Sequence, residues 1–160
     1  MNGKLAPTFP NARYVVQRLE YDHAINPTER DRASYVPDNF MPVQETGQWQ
    51  FVEGDVEIVP GVELVVAPGH TRHMQCVKIS GGGKTIFFIA DLVPTAAHVP
   101  FPWVMGYDLY PLTTLENKKK WLPRAAREGW TVVFPHDPKT PAVRLHEHDS
   151  KLEAETVTFE

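Results

Sequence analysis

The chain is 160 residues long, with 42% hydrophobic and 22% charged residues, an ordinary globular balance with length enough for one domain and its own core. Its formal net charge of −4 carries no basic surplus, which excludes nucleic acid as the default partner. No run approaches the ~18 apolar residues of a membrane span, and the first ten residues, MNGKLAPTFP, lack the apolar core of a signal peptide, so no membrane partner is indicated and a cytoplasmic address follows by elimination.

In chain order, Phe9-Pro10-Asn11 reads as a turn and Ala12–Gln17 as a strand, followed by a short helical stretch over Arg18–Ile25. Asn26-Pro27 breaks the path, so the charged Asn26–Ala33 reads as a loop or one more helical turn, and the Pro-punctuated Val36–Pro42 as irregular. Trp49–Val52 and Val56–Val59 are short strands that the Gly54-Asp55 dipeptide suggests are joined as a hairpin. Three Val- and Ile-rich runs follow, Val62–Ala67, Met74–Ile79 and Thr85–Ala90, each of strand length and bounded by Gly or Pro, with polar punctuation between them. Leu92–Tyr110 is apolar and aromatic but broken by prolines, which suits a wall or lid more than a regular element. Thr113–Glu128 carries a helical stripe of Leu115, Trp121, Leu122, Ala125 and Ala126. Lys118–Lys120, Arg124 and Arg127 are expected to face solvent, Pro123 to kink or split the helix and Gly129 to end it. Trp130–Phe134 and Leu152–Phe159 read as strands. With fifteen prolines, long irregular connections are expected between short elements. The mixed order, with strands outnumbering helices, points to an α+β fold in which helices cover one face of a sheet.

The residues with chemistry sit at the ends of these strands. His70, in Pro68-Gly69-His70-Thr71, closes the first central strand; Asp91 follows the third; His136 follows Trp130–Phe134. Strand-end side chains can converge on one point, and imidazole and carboxylate are zinc donors. Each residue also has a plainer reading: His70 as a turn histidine bonded to backbone, Asp91 as the cap of the next turn. The Thr71 hydroxyl can order the His70 loop, and Asp137 is either a partner that fixes the His136 tautomer or a turn residue before Pro138. His73 is assigned to the surroundings of the site or the surface, and His98 to a pocket wall. Tyr107 and Tyr110, with Phe101 and Trp103, either line an acyl or aromatic substrate pocket or pack against the following helix. The single cysteine, Cys76, cannot form an internal disulfide and reads as a small buried hydrophobe. His146-Glu147-His148-Asp149 reads as an exposed loop with incidental histidines.

The succession PGHT, an apolar strand ending in Ala90-Asp91-Leu92, and an apolar strand ending in His136 resembles the second half of a metallo-β-lactamase-fold hydrolase of the lactonase-like branch. The resemblance covers about residues 9–145 of a chain read as a single domain, 1–160, and implies a partial αββα fold, mainly its second sheet layer with covering helices. It further implies that His70 binds one zinc, that Asp91 is the catalytic carboxylate bridging two zincs, and that His136 binds the second. The implied chemistry is attack of a metal-bound hydroxide on the carbonyl of a small ester or lactone. The family's His-x-His-x-Asp-His motif belongs upstream of these positions, and nothing between Met1 and Gly69 supplies it. The chain therefore reads as a hydrolase lacking its N-terminal half, incomplete or inactive, poor in zinc, and able to form a homo-oligomer through an uncovered sheet. The alternative is a non-catalytic remnant acting as a protein-binding or self-associating module.

Overall fold

The computed structural model describes residues 5–149 and 151–158. Met1-Asn2-Gly3-Lys4, Ser150, Phe159 (the last residue of the strand expected from sequence) and Glu160 lie outside the described residues. The chain divides into two compact units, Met1–Glu53 and Gly54–Glu160.

In the first unit β1 (Tyr14–Gln17) pairs in parallel with β2 (Trp49–Val52), in register from Tyr14↔Trp49 to Gln17↔Val52. Helices α1 (Arg18–Ala24) and α2 (Met41–Glu45) lie between them in sequence. An aromatic cluster holds this small unit: the Tyr21 ring lies 5.1 Å from Phe51 and 5.7 Å from Trp49, and the Arg18 guanidinium sits 3.4 Å above Phe51. The hairpin expected at Gly54-Asp55 does not form. Trp49–Val52 takes β1 as its partner, whereas β3 (Val56–Val59) pairs antiparallel with β4 (Val62–Val66) in the second unit. Gly54 does adopt the left-handed backbone that suits a turn, φ +72°, but the turn leads from one sheet into another.

The second unit is built on a seven-stranded sheet in the order β3-β4-β5-β6-β7-β8-β9. Its further strands are β5 (Gln75–Gly81), β6 (Lys84–Phe88), β7 (Thr131–Val133), β8 (Ala142–His148) and β9 (Lys151–Thr156). All neighbours are antiparallel except β6 and β7, which run in parallel and are joined through helix α3 (Pro111–Arg127). This mixed sheet with few helices is the α+β arrangement expected. Direction follows from the pairing. Strand β4 opposes β5 and β5 opposes β6, so β4 and β6 run the same way, and β7 runs with them. The C-terminal ends of β4, β6 and β7 therefore lie at one end of the sheet. Those are the ends that carry His70, Asp91 and His136.

The core of this unit lies between the sheet and α3. Phe87 of β6 packs 5.6 Å from Trp121 and 5.4 Å from Trp130, ring centre to ring centre, among Val65, Ile89, Leu122 and Val132. The buried positions of α3 are Thr114, Lys118, Trp121, Leu122 and Ala125, a stripe at helical spacing. Two expectations for this helix are corrected. Pro123 does not split it, since α3 runs seventeen residues through that position. Lys118 does not face solvent: it falls on the buried stripe and is fully enclosed. Gly129, φ +67°, follows the helix as expected.

At the C-terminal end the residues His146–His148 belong to β8, which pairs antiparallel with β9, and are not a loop. Val143 and Leu145 alternate inward with Arg144 and His146 outward, a period-two pattern that ends at Leu145, since His146, Glu147 and His148 are all exposed. Among the described residues no helix is long and apolar enough to cross a membrane.

Candidate functional site

Three structural details place His70. The turn after β4 brings Gly69 so close to α3 that a Cβ there would lie 2.2 Å from Thr114 Oγ1 and 2.7 Å from its Cα, and Gly69 has φ +146°, so only glycine fits. Asn117 Nδ2 of α3 donates to the Pro68 carbonyl at 2.8 Å. The amides of Leu109 and Tyr110 donate to the His70 and Gly69 carbonyls, at 3.2 and 2.8 Å. Asp91 sits in a single 3-10 turn, Ala90–Leu92, just past β6 and not at its last residue, as Ala90 turns out of the strand with φ +49°. A left-handed alanine costs of order 1 kcal/mol or more, and here it aims the next side chain. His136 follows β7 in a turn whose own amide donates to Pro94 O at 3.1 Å, while Asp137 Oδ2 accepts the Ala96 amide at 3.0 Å. The segment after Asp91 thus ties down both histidine turns, through residues 94–96 on one side and 109–110 on the other.

These placements bring the three residues together. His70 Nε2 lies 3.9 Å from Asp91 Oδ2, and His136 Nε2 lies 3.0 Å from Asp91 Oδ1. Each imidazole faces a different oxygen of one carboxylate. Two donors 2.0–2.1 Å from one ion at a tetrahedral angle stand about 3.3 Å apart, and the two separations bracket that value. Asp91 Oδ1 is buried and, although 3.0 Å from His136 Nε2, makes no aligned hydrogen bond, which leaves it an acceptor of the kind a cation satisfies. Nitrogen and carboxylate oxygen donors suit zinc in type. In number they are few: among the described residues no group of three or more His, Cys, Asp or Glu side chains assembles around a single point.

Thr71 lies beside His70 with its Oγ1 buried and without a hydrogen-bond partner. His73 is half-buried just beyond the turn. Asp137 serves its own turn: amide hydrogen bonds, that of Thr140 first and those of Ala96 and Lys139 with it, hold its carboxyl below the usual carboxylate range. His98 is engaged through Nδ1 with Thr95 Oγ1 at 2.8 Å. Tyr107 is 72% exposed, and Tyr110 is partly exposed with the Arg72 guanidinium 5.7 Å above its ring. Cys76 is buried and donates to the Ile89 carbonyl; burial, with the field of Asp91, pushes its thiol far up, which removes it as a nucleophile.

Two residues emerge that sequence reasoning missed. Asp108, its side chain only 1% exposed, places Oδ1 3.1 Å from His70 Nδ1. Lys118 Nζ donates to the carbonyls of His98, Pro100, Phe101 and Trp103, at 2.6, 2.7, 3.3 and 2.8 Å. Burial pulls the Lys118 ammonium down to about 8, against the opposing pull of Asp108. The one signal for either was an isolated charge where the surrounding pattern asked for an apolar residue: Asp108 within an aromatic run, Lys118 on the helix stripe.

Comparison with known proteins follows the same lines. No family model matches the chain. The curated relatives are N-acyl homoserine lactonases, among them AttM of Azorhizobium caulinodans, 30% identical over 139 residues that cover 81% of this chain and 51% of that protein. A probable metal-dependent hydrolase of Staphylococcus aureus superposes with a TM-score of 0.86 at 25% identity, over 98% of this chain and 56% of the other. The dizinc quorum-quenching lactonase AidC superposes at 0.79 over 98% of this chain and 60% of its own length, at 19% identity, a likeness of fold alone. The chain therefore has lactonases as sequence relatives and the fold of metallo-β-lactamase-superfamily hydrolases, as the strand-end motifs led one to expect. It spans about half the length of the curated relatives it matches.

Proposed function

We propose that this chain contributes His70, Asp91 and His136 to the zinc site of a lactone-hydrolysing enzyme, with N-acyl homoserine lactones as the substrate class carried by its relatives. The observation behind this reading is the division of labour at Asp91: one oxygen faces His70, the other faces His136, and the second of these is buried and unsatisfied. His70 and Asp91 Oδ2 would hold one zinc, Asp91 Oδ1 and His136 the other. Bound zinc supplies Lewis acidity, polarising a carbonyl and lowering the pKa of water toward ~7.

The chain's own residues supply position and charge. Asp91 offers two oxygens from a turn in which its predecessor, Ala90, is left-handed, and this one carboxylate would serve both cations. His70 and His136 approach from strands on either side in the fold, each on a turn bonded to the segment after Asp91. A catalytic zinc ordinarily has three protein ligands and one open position. Two donors per ion from this chain leave coordination positions for groups beyond these three, and a modest affinity.

The test is zinc content by elemental analysis of untagged protein, together with hydrolysis of an N-acyl homoserine lactone. Zinc that binds the chain and is lost in Asp91→Ala supports the reading. Equal zinc content in the two proteins overturns it, and lactone turnover that survives both His70→Ala and chelator overturns the assignment of the chemistry to this site.

A further inference from the structure

We infer that Asp108 is a positioning residue for His70: it accepts the Nδ1–H proton, fixes the ring in the Nδ1–H tautomer, and so presents Nε2 toward Asp91. The inference rests on the proposed zinc site for its functional meaning, but its structural content stands on the His70–Asp108 geometry alone.

The geometry is one of enclosure on both backbone and ring. The two residues after Asp108 are bonded through their amides to the carbonyls of His70 and Gly69, so Asp108 is held opposite the turn that it serves. Its Oδ1 is 3.1 Å from Nδ1, and its side chain is almost wholly buried. Its other oxygen, Oδ2, is buried without a hydrogen-bond partner, an arrangement that burial alone would disfavour. A carboxylate accepts and does not donate, so the ring nitrogen facing it carries the hydrogen, and in a neutral imidazole the lone pair then lies on the other nitrogen. That nitrogen, Nε2, is the one that looks toward Asp91. A histidine ligand whose second nitrogen donates to a carboxylate is oriented and made more basic, and loss of such a partner weakens metal binding about 10–100-fold. Nearby, Lys118 lies within the field of Asp108, so a buried cation balances the buried carboxylate.

The experiment is long-range proton–nitrogen correlation NMR on the zinc-free 160-residue chain at a pH well above the ordinary imidazole value, with zinc affinity measured in parallel by chelator competition. Wild type is expected to show His70 in the Nδ1–H tautomer. Asp108→Asn is expected to populate the Nε2–H tautomer and to bind zinc about 10–100-fold more weakly, with Asp108→Glu recovering part of both. A wild-type His70 in the Nε2–H tautomer overturns the inference without recourse to any variant. So does a folded Asp108→Asn chain in which tautomer and affinity are both unchanged; zinc bound equally by both proteins in that case leaves the zinc reading standing. A tautomer that shifts on substitution while neither protein binds zinc supports the positioning role and removes the zinc reading.

Discussion

Two groups of histidines and carboxylates occur in the seven-stranded sheet, one at the ends of β4, β6 and β7 and one along the β8–β9 hairpin. The hairpin group is the denser in sequence, with His146, Glu147, His148 and Asp149 in succession, and it forms close pairs: His146 Nε2 to Glu155 Oε2 at 2.7 Å and His148 Nδ1 to Asp149 Oδ2 at 3.4 Å. Yet in both pairs histidine and acid alike are more than half exposed. Such pairs contribute about 0–1 kcal/mol and impose no geometry. The strand-end group is dispersed over sixty-odd residues of chain, but its members sit on turns fixed by glycine close-packing, a left-handed alanine and backbone hydrogen bonds, and it leaves buried oxygens unsatisfied. What separates a site from a coincidence of side chains is the rigidity and desolvation of the backbone beneath it, not the local density of ligand-type residues.

The sharpest way to break this comparison is Asp91→Ala, which is expected to abolish zinc binding by the chain, whereas His146→Ala with His148→Ala should leave zinc content as it was; the reverse pattern in elemental analysis would place the metal on the hairpin. Next in size is Gly69→Ala. The added carbon meets Thr114 at 2.2 Å, and the backbone conformation is one that alanine avoids, so a loss of about 2–4 kcal/mol in denaturant unfolding is expected. Lys118→Met removes the donor to four carbonyls and is expected to cost about 3 kcal/mol, with faster amide exchange across residues 98–103. Lys118 also gives a pH signature. Its folded value near 8 lies below the ordinary ~10.4, so between those limits the unfolded chain binds more protons, and stability rises with pH through that window. Chemical denaturation at pH 7.5 and 9.5 should show the rise in wild type and not in Lys118→Met. The smallest effect belongs to His146→Ala, where breaking an exposed pair should change stability by less than about 0.5 kcal/mol.

How far the sequence was legible follows the same division. Strand ends could be read, because apolar runs stop at Gly, Pro and polar residues, and their direction needed only that β4, β6 and β7 run together. The pairing of β2 with β1 could not, since a Gly-Asp dipeptide reports a turn and says nothing about which strand waits on either side. The polar half of β8 was obscured because an outward-facing edge of a hairpin selects for charge and not for β-branched residues. Asp108 and Lys118 were hidden for a deeper reason. Each is explained by partners 38 and 15–20 residues away, brought together by the loop that follows Asp91 crossing beneath α3. Pattern along the chain has no term for such a crossing.

The four carbonyls around Lys118 Nζ resemble in kind the oxygen rings with which proteins hold small free cations. Here the cation is tethered to a helix by its own side chain and cannot be titrated away by a chelator or exchanged for another ion. The segment 98–103 is thereby ordered by an internal cation that only deprotonation removes, as pH rises through about 8. Order in this segment therefore answers to the proton concentration of the medium and not to its metal content.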